Sequence, residues 1–192
     1  MNYFEEKILS EGIIRPGNIL KIDSFLNHQF QMDVMRFIAQ EFKRRFDGVK
    51  VTKVLTIEAS GIAIATMLGH YLDVPVVFAK KTKTKNIYGD VYTSAVKSFT
   101  HGTTYDIILS KEFLKKSEKV LIIDDFLAKG NALVGLINLV KEADAEIVGA
   151  GIVIEKAFQD GGKRVREEYG VNVESLARIK SMSFEEGIEF TD

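Results

Sequence analysis

Two adjacent carboxylates, Asp124 and Asp125, follow the apolar run Val120, Leu121, Ile122 and Ile123 and precede a short loop containing Gly130. The vicinal hydroxyls of a sugar need hydrogen-bond acceptors rather than a cation, and paired carboxylates supply them. Beyond the loop, Leu133, Leu136, Ile137 and Val140 recur at helical spacing. The amides of Ala128, Lys129, Gly130, Asn131 and Ala132 would then lie where a helix begins, and N–H groups there attract an anion such as a phosphate. One reading is a site for a phosphorylated sugar. The other is an ordinary strand–loop–helix turn with Asp125 near a helix cap. The residues by themselves fit both. No Walker A pattern is present, so a nucleotide triphosphatase is not indicated.

The elements around this loop give it a setting. An apolar run without alternation reads as a strand buried on both faces. In open α/β sheets ligands bind off the carboxyl ends of such strands. The same layout occurs upstream, where strand 53–57 leads into Glu58-Ala59-Ser60-Gly61 and then a helix to about residue 72. Gly61 there allows close backbone approach to a ligand. Further strands are expected at 74–79, 146–154 and 173–179, and an edge strand at 19–23. Helices are expected at 3–11, 33–46 and 161–169, with Asp33 capping the second. Residues 86–116 form a long polar connection read as a flexible β-ribbon, and long loops in compact domains are often lids. Lys80, Lys81, Lys83 and Lys85 follow the 74–79 strand, either as a solvated basic loop or as cations that gather a polyanion. His28, His70 and His101 read as surface or structural residues. Gly149 and Gly151 lie inside a strand, with no third glycine and no strand-to-helix turn, so a dinucleotide fingerprint is rejected.

The totals narrow the class. A chain of 192 residues with 46% apolar residues is most simply one domain, 1–192, with a real core. Strands alternating with helices place it in the α/β class with a parallel central sheet. A formal charge of −1 gives no global pull toward nucleic acid or membrane. Cysteine is absent, which removes disulfides, thiolate catalysis and zinc–thiolate sites. No apolar run reaches transmembrane length and the amino terminus has no secretory character, so the expected location is the cytoplasm.

The 120–132 segment resembles the phosphoribosyl pyrophosphate (PRPP) signature of type I phosphoribosyltransferases. It has the apolar strand, two acids, two apolar residues and a small-residue glycine loop. Many members carry threonine around the glycine; Ala128, Lys129, Asn131 and Ala132 stand there instead, so backbone amides must hold more of the phosphate. The Ile-Glu-Ala-Ser-Gly segment at 57–61 resembles the pyrophosphate loop of the purine branch, where a non-proline cis peptide often falls near Glu58–Ala59. The run around Leu20-Lys21-Ile22-Asp23-Ser24-Phe25-Leu26-Asn27-His28 is similar to one that lies over the base in bacterial xanthine enzymes of that branch.

The resemblance implies a type I phosphoribosyltransferase fold, with helices flanking the sheet and a small hood built from the amino-terminal stretch, the carboxyl-terminal part, or both. It implies transfer of a phosphoribosyl group from PRPP to xanthine in purine salvage, with Mg2+ bound mainly through PRPP, and a homodimer. By the same resemblance Asp124 and Asp125 hold the ribose. Ala59, Ser60, Gly61 and Lys81 serve the pyrophosphate, and residues 128–132 the phosphate. Leu20 packs on the purine, Asn27 and Lys156 read its edge, and Phe158 stacks on it or merely packs. Some relatives place a proton-accepting acid four residues after the first acid of the signature; that position here is Ala128. Two alternatives stay open: the same reaction with guanine or hypoxanthine, and a PRPP sensor without catalysis. The sensor class usually carries a DNA-binding segment, for which this chain shows neither a spare domain nor a basic face.

Overall fold

The computed structural model describes residues 1–81, 89–97 and 104–191. In chain order the elements are α1 (Tyr3–Glu11), β1 (Ile13–Arg15), β2 (Ile19–Lys21), a π-helical turn (Asp23–Asn27), α2 (Met32–Arg45), β3 (Lys53–Ile57), α3 (Ser60–Leu72) and β4 (Val76–Ala79). There follow β5 (Val91–Lys97), β6 (Thr104–Ser110), β7 (Lys119–Leu127), α4 (Asn131–Glu142), β8 (Glu146–Lys156), a 3-10 turn (Ala157–Gln159), α5 (Gly161–Tyr169), β9 (Val173–Ser183) and β10 (Gly187–Phe190).

The central sheet has the order β10-β9-β8-β7-β3-β4. Every pair is parallel except β10 with β9. Its strands are apolar on both sides because helices cover both faces. Leu121 and Ile123 of β7 point into one cluster with Phe42 of α2 and Leu68 of α3. Val120 and Ile122 point the other way, into a cluster with Leu136 and Val140 of α4. The unbroken run in the sequence is the signature of this two-sided burial. The glycines of β8 have a packing reason: a Cβ on Gly151 would fall 2.7 Å from Ile123 and 2.9 Å from the Phe42 ring, so α2 sits close to the sheet only because both side chains are absent.

The amino-terminal elements pack against β9 as a small hood, with Phe4, Ile8, Leu20 and Phe25 in one core cluster with Leu176, Ile179 and Met182. Asn2 caps α1 by accepting from the N–H groups of Phe4 and Glu5, and the Glu5 carboxylate accepts from the Asn2 N–H in return. Such reciprocal caps contribute about 1 kcal/mol. The Asn2 side chain also donates to the Leu176 carbonyl of β9 at 2.8 Å, tying the amino-terminal stretch to the carboxyl-terminal strands. The hood therefore uses both ends of the chain.

Several boundaries differ from the sequence reading. β2 does not join the central sheet; it pairs with β1 around a turn at Pro16 and Gly17, and Asp23 opens the π-helical turn. Asp33 does not cap α2, since Gln31 occupies the cap position without a side-chain bond, and Asp33 instead accepts from the Tyr3 hydroxyl. β4 begins at Val76 rather than residue 74. β9 runs on to Ser183, and β10 adds an antiparallel edge beyond the last expected strand. The long connection forms the hairpin β5–β6, whose Val96 and Ile107 bury against α4 at Gly135. Lys83, Lys85 and His101 lie outside the described residues.

Candidate active site

Chain order and sheet order part company at β3. From it the chain crosses to β4 on one side and returns through the hairpin to β7 on the other. Such a switch point leaves a crevice at the carboxyl ends of the two strands. The ladder between β3 and β7 runs only from Lys53↔Val120 to Leu55↔Ile122, whereas β7 stays paired with β8 as far as Leu127↔Glu155. Beyond Leu55 the central strands therefore separate, with the 58–61 loop following β3 and the 128–130 loop following β7.

Asp124 and Asp125 belong to the last part of β7 itself and not to a loop after it, and Asp125 is no helix cap, because Gly130 precedes α4 with a φ of 82°. Rigid pairing thus holds both carboxylates. Asp124 is only 6% exposed. Burial first, and then the neighbouring Asp125 charge, push its carboxyl well above the usual range, against the opposing pull of Lys81. Its Oδ1 accepts from the Asp125 N–H at 3.0 Å, and Asp125 Oδ1 accepts from the Phe126 N–H at 2.9 Å. Tyr105 of β6 feels the same field: burial and then Asp124 raise its phenol.

The opposite wall is the 58–61 loop, where the Glu58–Ala59 peptide is cis. The Glu58 carboxylate accepts from the Lys81 N–H at 2.6 Å, joining the loop to the second residue after β4, while Lys81 Nζ lies 5.9 Å from the Tyr105 ring centre. Gly61 sits where a Cβ would fall 2.1 Å from Thr56 Oγ1, so α3 approaches β3 closely only with glycine. On the far side, the first-turn amides of α4 lack partners within the helix and leave N–H groups at the crevice. The Asn131 side chain is held by Lys97 of the hairpin, whose carbonyl accepts from Nδ2 at 2.9 Å, and by Arg164 of α5.

The residues assigned to a base come from two places, the amino-terminal elements for Leu20 and Asn27 and the end of β8 with the turn after it for Lys156 and Phe158. Leu20 is buried in β2, and Asn27 closes the π-helical turn with its Oδ1 buried and without a hydrogen-bond partner. Lys156 ends β8 with Nζ 5.8 Å from the Phe126 ring centre, and burial lowers its ammonium below the usual lysine range. Phe158, on the 3-10 turn, is 41% exposed.

Other residues near the carboxyl ends of β7 and β8 carried no sequence signal. Glu155 is 2% exposed and accepts from Arg166, Arg178 and the Ser175 hydroxyl. Burial alone would raise its carboxyl, but these donors hold it below the usual range. Phe126 reads in the sequence only as one of the two apolar residues after the acids. The Gly161-Gly162 pair at the start of α5 was the one available hint of close packing. Two carboxylates are hard oxygen donors, and among the described residues no group of three His, Cys, Asp or Glu could hold a metal. This donor set fits magnesium carried on substrate oxygens and water, which is how that ion is usually held beside phosphates.

Comparison with known proteins decides the family. The phosphoribosyl transferase domain model matches residues 21–186. The chain belongs to the phosphoribosyltransferase family. Among similar phosphoribosyltransferases, the xanthine phosphoribosyltransferase of Lachnoclostridium phytofermentans is 54% identical, covering 97% of this chain and 96% of that one. Xanthine phosphoribosyltransferase 1 of Clostridium perfringens is 57% identical over 95% of this chain and 96% of that one. The fold is that of solved adenine phosphoribosyltransferases. The enzyme from Thermoanaerobacter pseudethanolicus superposes with a TM-score of 0.77 at 20% identity, covering 91% of this chain and 99% of that one. The Giardia lamblia enzyme, complexed with 9-deazaadenine, gives 0.79 at 19% identity over 93% and 98%. The type I phosphoribosyltransferase architecture, a mostly parallel sheet between helices, is thereby established for this chain. Among the described residues no helix is long and apolar enough to cross a membrane.

Proposed function

We propose that this enzyme transfers the 5-phosphoribosyl group from PRPP to N9 of xanthine, giving xanthosine 5′-monophosphate and pyrophosphate. The observation that carries the reading is the identity above 50%, over nearly the whole chain, to proteins named for xanthine. The crevice supports it with an acidic pair, amide-rich loops on two sides and a half-buried lysine beside an aromatic ring.

In this reading the bond between C1′ and the pyrophosphate oxygen breaks as the bond from N9 to C1′ forms, and charge on the ribosyl carbon rises in between. Asp124 and Asp125 hold the ribose hydroxyls so that C1′ faces N9. The amides of 128–132 hold the 5′-phosphate. Ala59, Ser60, Gly61 and Lys81 hold the departing pyrophosphate. Magnesium bound through PRPP supplies neutralisation of the leaving group. Positioning and fixed charge supply most of the acceleration. Ala128 stands where some relatives have an acid, so the proton released as N9 bonds to C1′ passes to solvent water, and xanthine, more acidic than hypoxanthine, needs less help from a general base.

Asn27 and Lys156 read the edge of the base, because an amide offers both a donor and an acceptor and an ammonium donates to a carbonyl oxygen. Leu20 and Phe158 pack against its faces. The chain acts as one domain, in the cytoplasm, as a homodimer. The test is a panel of xanthine, guanine, hypoxanthine, adenine and uracil with PRPP and magnesium, followed by nucleotide formation. Turnover led by xanthine supports the proposal. Turnover led by another base keeps the transferase and overturns the base assignment. PRPP binding without turnover overturns the enzyme reading in favour of a sensor.

A further inference from the structure

Thr56 stands at the end of β3, fully buried, and its Oγ1 has no hydrogen-bond partner. Buried hydroxyls are nearly always paired, so a fold that keeps an unpaired one does so against a free-energy cost. The strand does not demand it. Val54, Leu55 and Ile57 around it are apolar, and valine has nearly the same shape with an equal liking for a strand.

Gly61 shows what the hydroxyl faces. The same Cβ position that lies 2.1 Å from Thr56 Oγ1 lies 3.4 Å from Asp124 Oδ1. The hydroxyl and the carboxylate therefore face one point beside the first turn of α3, no farther apart than those two distances laid end to end. Asp124 Oδ1 already accepts from the Asp125 N–H, and a carboxylate oxygen has room for a second donor. The charged and titratable groups that act on Asp124 are Asp125 beside it, Lys81 after β4 and Tyr105 on β6. Thr56 differs from them in being a neutral donor fixed on a central strand, in place before any substrate arrives.

We propose that Thr56 is a positioning residue for the acidic pair: its hydroxyl, unpaired in the unliganded protein, donates to the Asp124 carboxylate once PRPP is bound, directly or through one water, and holds it turned toward the ribose. The inference rests on the transferase reading for the role of Asp124 and adds a residue of β3 to that role. Gly61 is then needed twice, for the approach of α3 and for leaving the line between the two oxygens open.

The test uses the full chain with Thr56→Val and Thr56→Ser, assayed with PRPP, magnesium and xanthine, and melted with and without PRPP and magnesium. Thr56→Val is expected to keep or raise the Tm of the unliganded protein, because an unpaired buried hydroxyl is removed. Its kcat/KM for PRPP should fall about tenfold or more, the scale of a hydrogen bond to a charged group. The KM for xanthine should stay within about twofold, since that contact is untouched, and Thr56→Ser should recover activity to within about threefold of the parent. The rise in Tm on adding PRPP should shrink in the valine variant and return in the serine variant. Parental kcat/KM and parental PRPP response in Thr56→Val would overturn the proposal. So would a fall in unliganded Tm that accompanies the loss of activity, because the hydroxyl would then serve the fold. If the parent protein turns over no base yet is stabilised by PRPP, the transferase reading fails while the melting response of Thr56→Val still decides this inference.

Discussion

Gly161 lies against the 128–130 loop so closely that a Cβ on it would fall 2.1 Å from the Ala128 carbonyl oxygen and 2.7 Å from the Gly130 nitrogen. Both are backbone atoms, which cannot swing aside as a side-chain end would. The start of α5 is therefore the surface on which the 128–130 loop is moulded. Gly162 next to it leaves the space that the Glu155 carboxylate fills, with Oε1 in the position a Cβ would need. One helix start thus touches both the loop assigned to the phosphate and the strand end that carries Lys156.

Gly161→Ala should displace the loop and weaken PRPP handling while sparing the base. The expected result is a fall of roughly 10–100-fold in kcat/KM for PRPP, the scale of a misplacement of about 1 Å. The KM for xanthine should change little. Steady-state kinetics with each substrate varied in turn checks this, and equal losses for both substrates would count against a local effect on the loop.

Glu155 links pH to stability. Its carboxyl lies below the usual range in the folded protein, so it binds its proton less readily there than in the unfolded chain. The stabilisation is present above the unfolded pKa and is lost as pH falls through the folded one. Glu155→Gln should lower stability near neutrality by about 2 kcal/mol, the range for hydrogen bonds to charged groups. It should also flatten the dependence on pH in the acid range. Denaturant melts from acid to neutral pH test both, and curves for the parent and variant that stay parallel would refute the linkage.

In the proposed role Lys156 would donate to the base as an ammonium, and burial lowers that ammonium below the ordinary lysine range. Its contribution to xanthine binding should therefore fade on the alkaline side earlier than an exposed lysine's would. Lys156→Met should raise the KM for xanthine by about tenfold or more and remove that alkaline arm. The base's own ionisation appears in both profiles and cancels in their comparison. An unchanged KM for xanthine would take Lys156 out of the base site.

Asn27→Asp replaces a group that both donates and accepts with one that only accepts. Preference should move from xanthine toward a base with an exocyclic amine, such as guanine, which can donate to the new carboxylate. The readout is the ratio of kcat/KM for the two bases. If that ratio keeps its parental value, the unpartnered Asn27 oxygen is not facing the base.

Much of this architecture was legible in the chain itself, because local rules govern it. Val120, Leu121, Ile122 and Ile123 announce a strand covered on both faces, and the residues beyond Gly130 announce α4; both elements are present. Helices α1 and α5 fall on the residues where helices are expected, 3–11 and 161–169. The misreadings come where neighbours override local preference. Asp33 looks like a cap, but the Tyr3 hydroxyl from α1 engages it. The apolar run ends at Ile123, but pairing with β8 carries the strand on through Asp124 and Asp125 to Leu127. The carboxyl-terminal edge strand β10 has only weak alternation, and it forms because β9 offers it a ladder.

By itself the sequence determined the α/β class, the positions of the two strand–loop–helix units and the chemistry their residues can do, because period, apolar runs and glycine placement are properties of adjacent residues. Only the tertiary structure decided which of those residues meet. That β3 and β7 part after Leu55 and Ile122, that Thr56 faces Asp124 past Gly61, and that Gly161 shapes the loop at Ala128 all follow from distances between segments far apart in the chain. Those distances are set by helix packing on the sheet, and no stretch of sequence contains them.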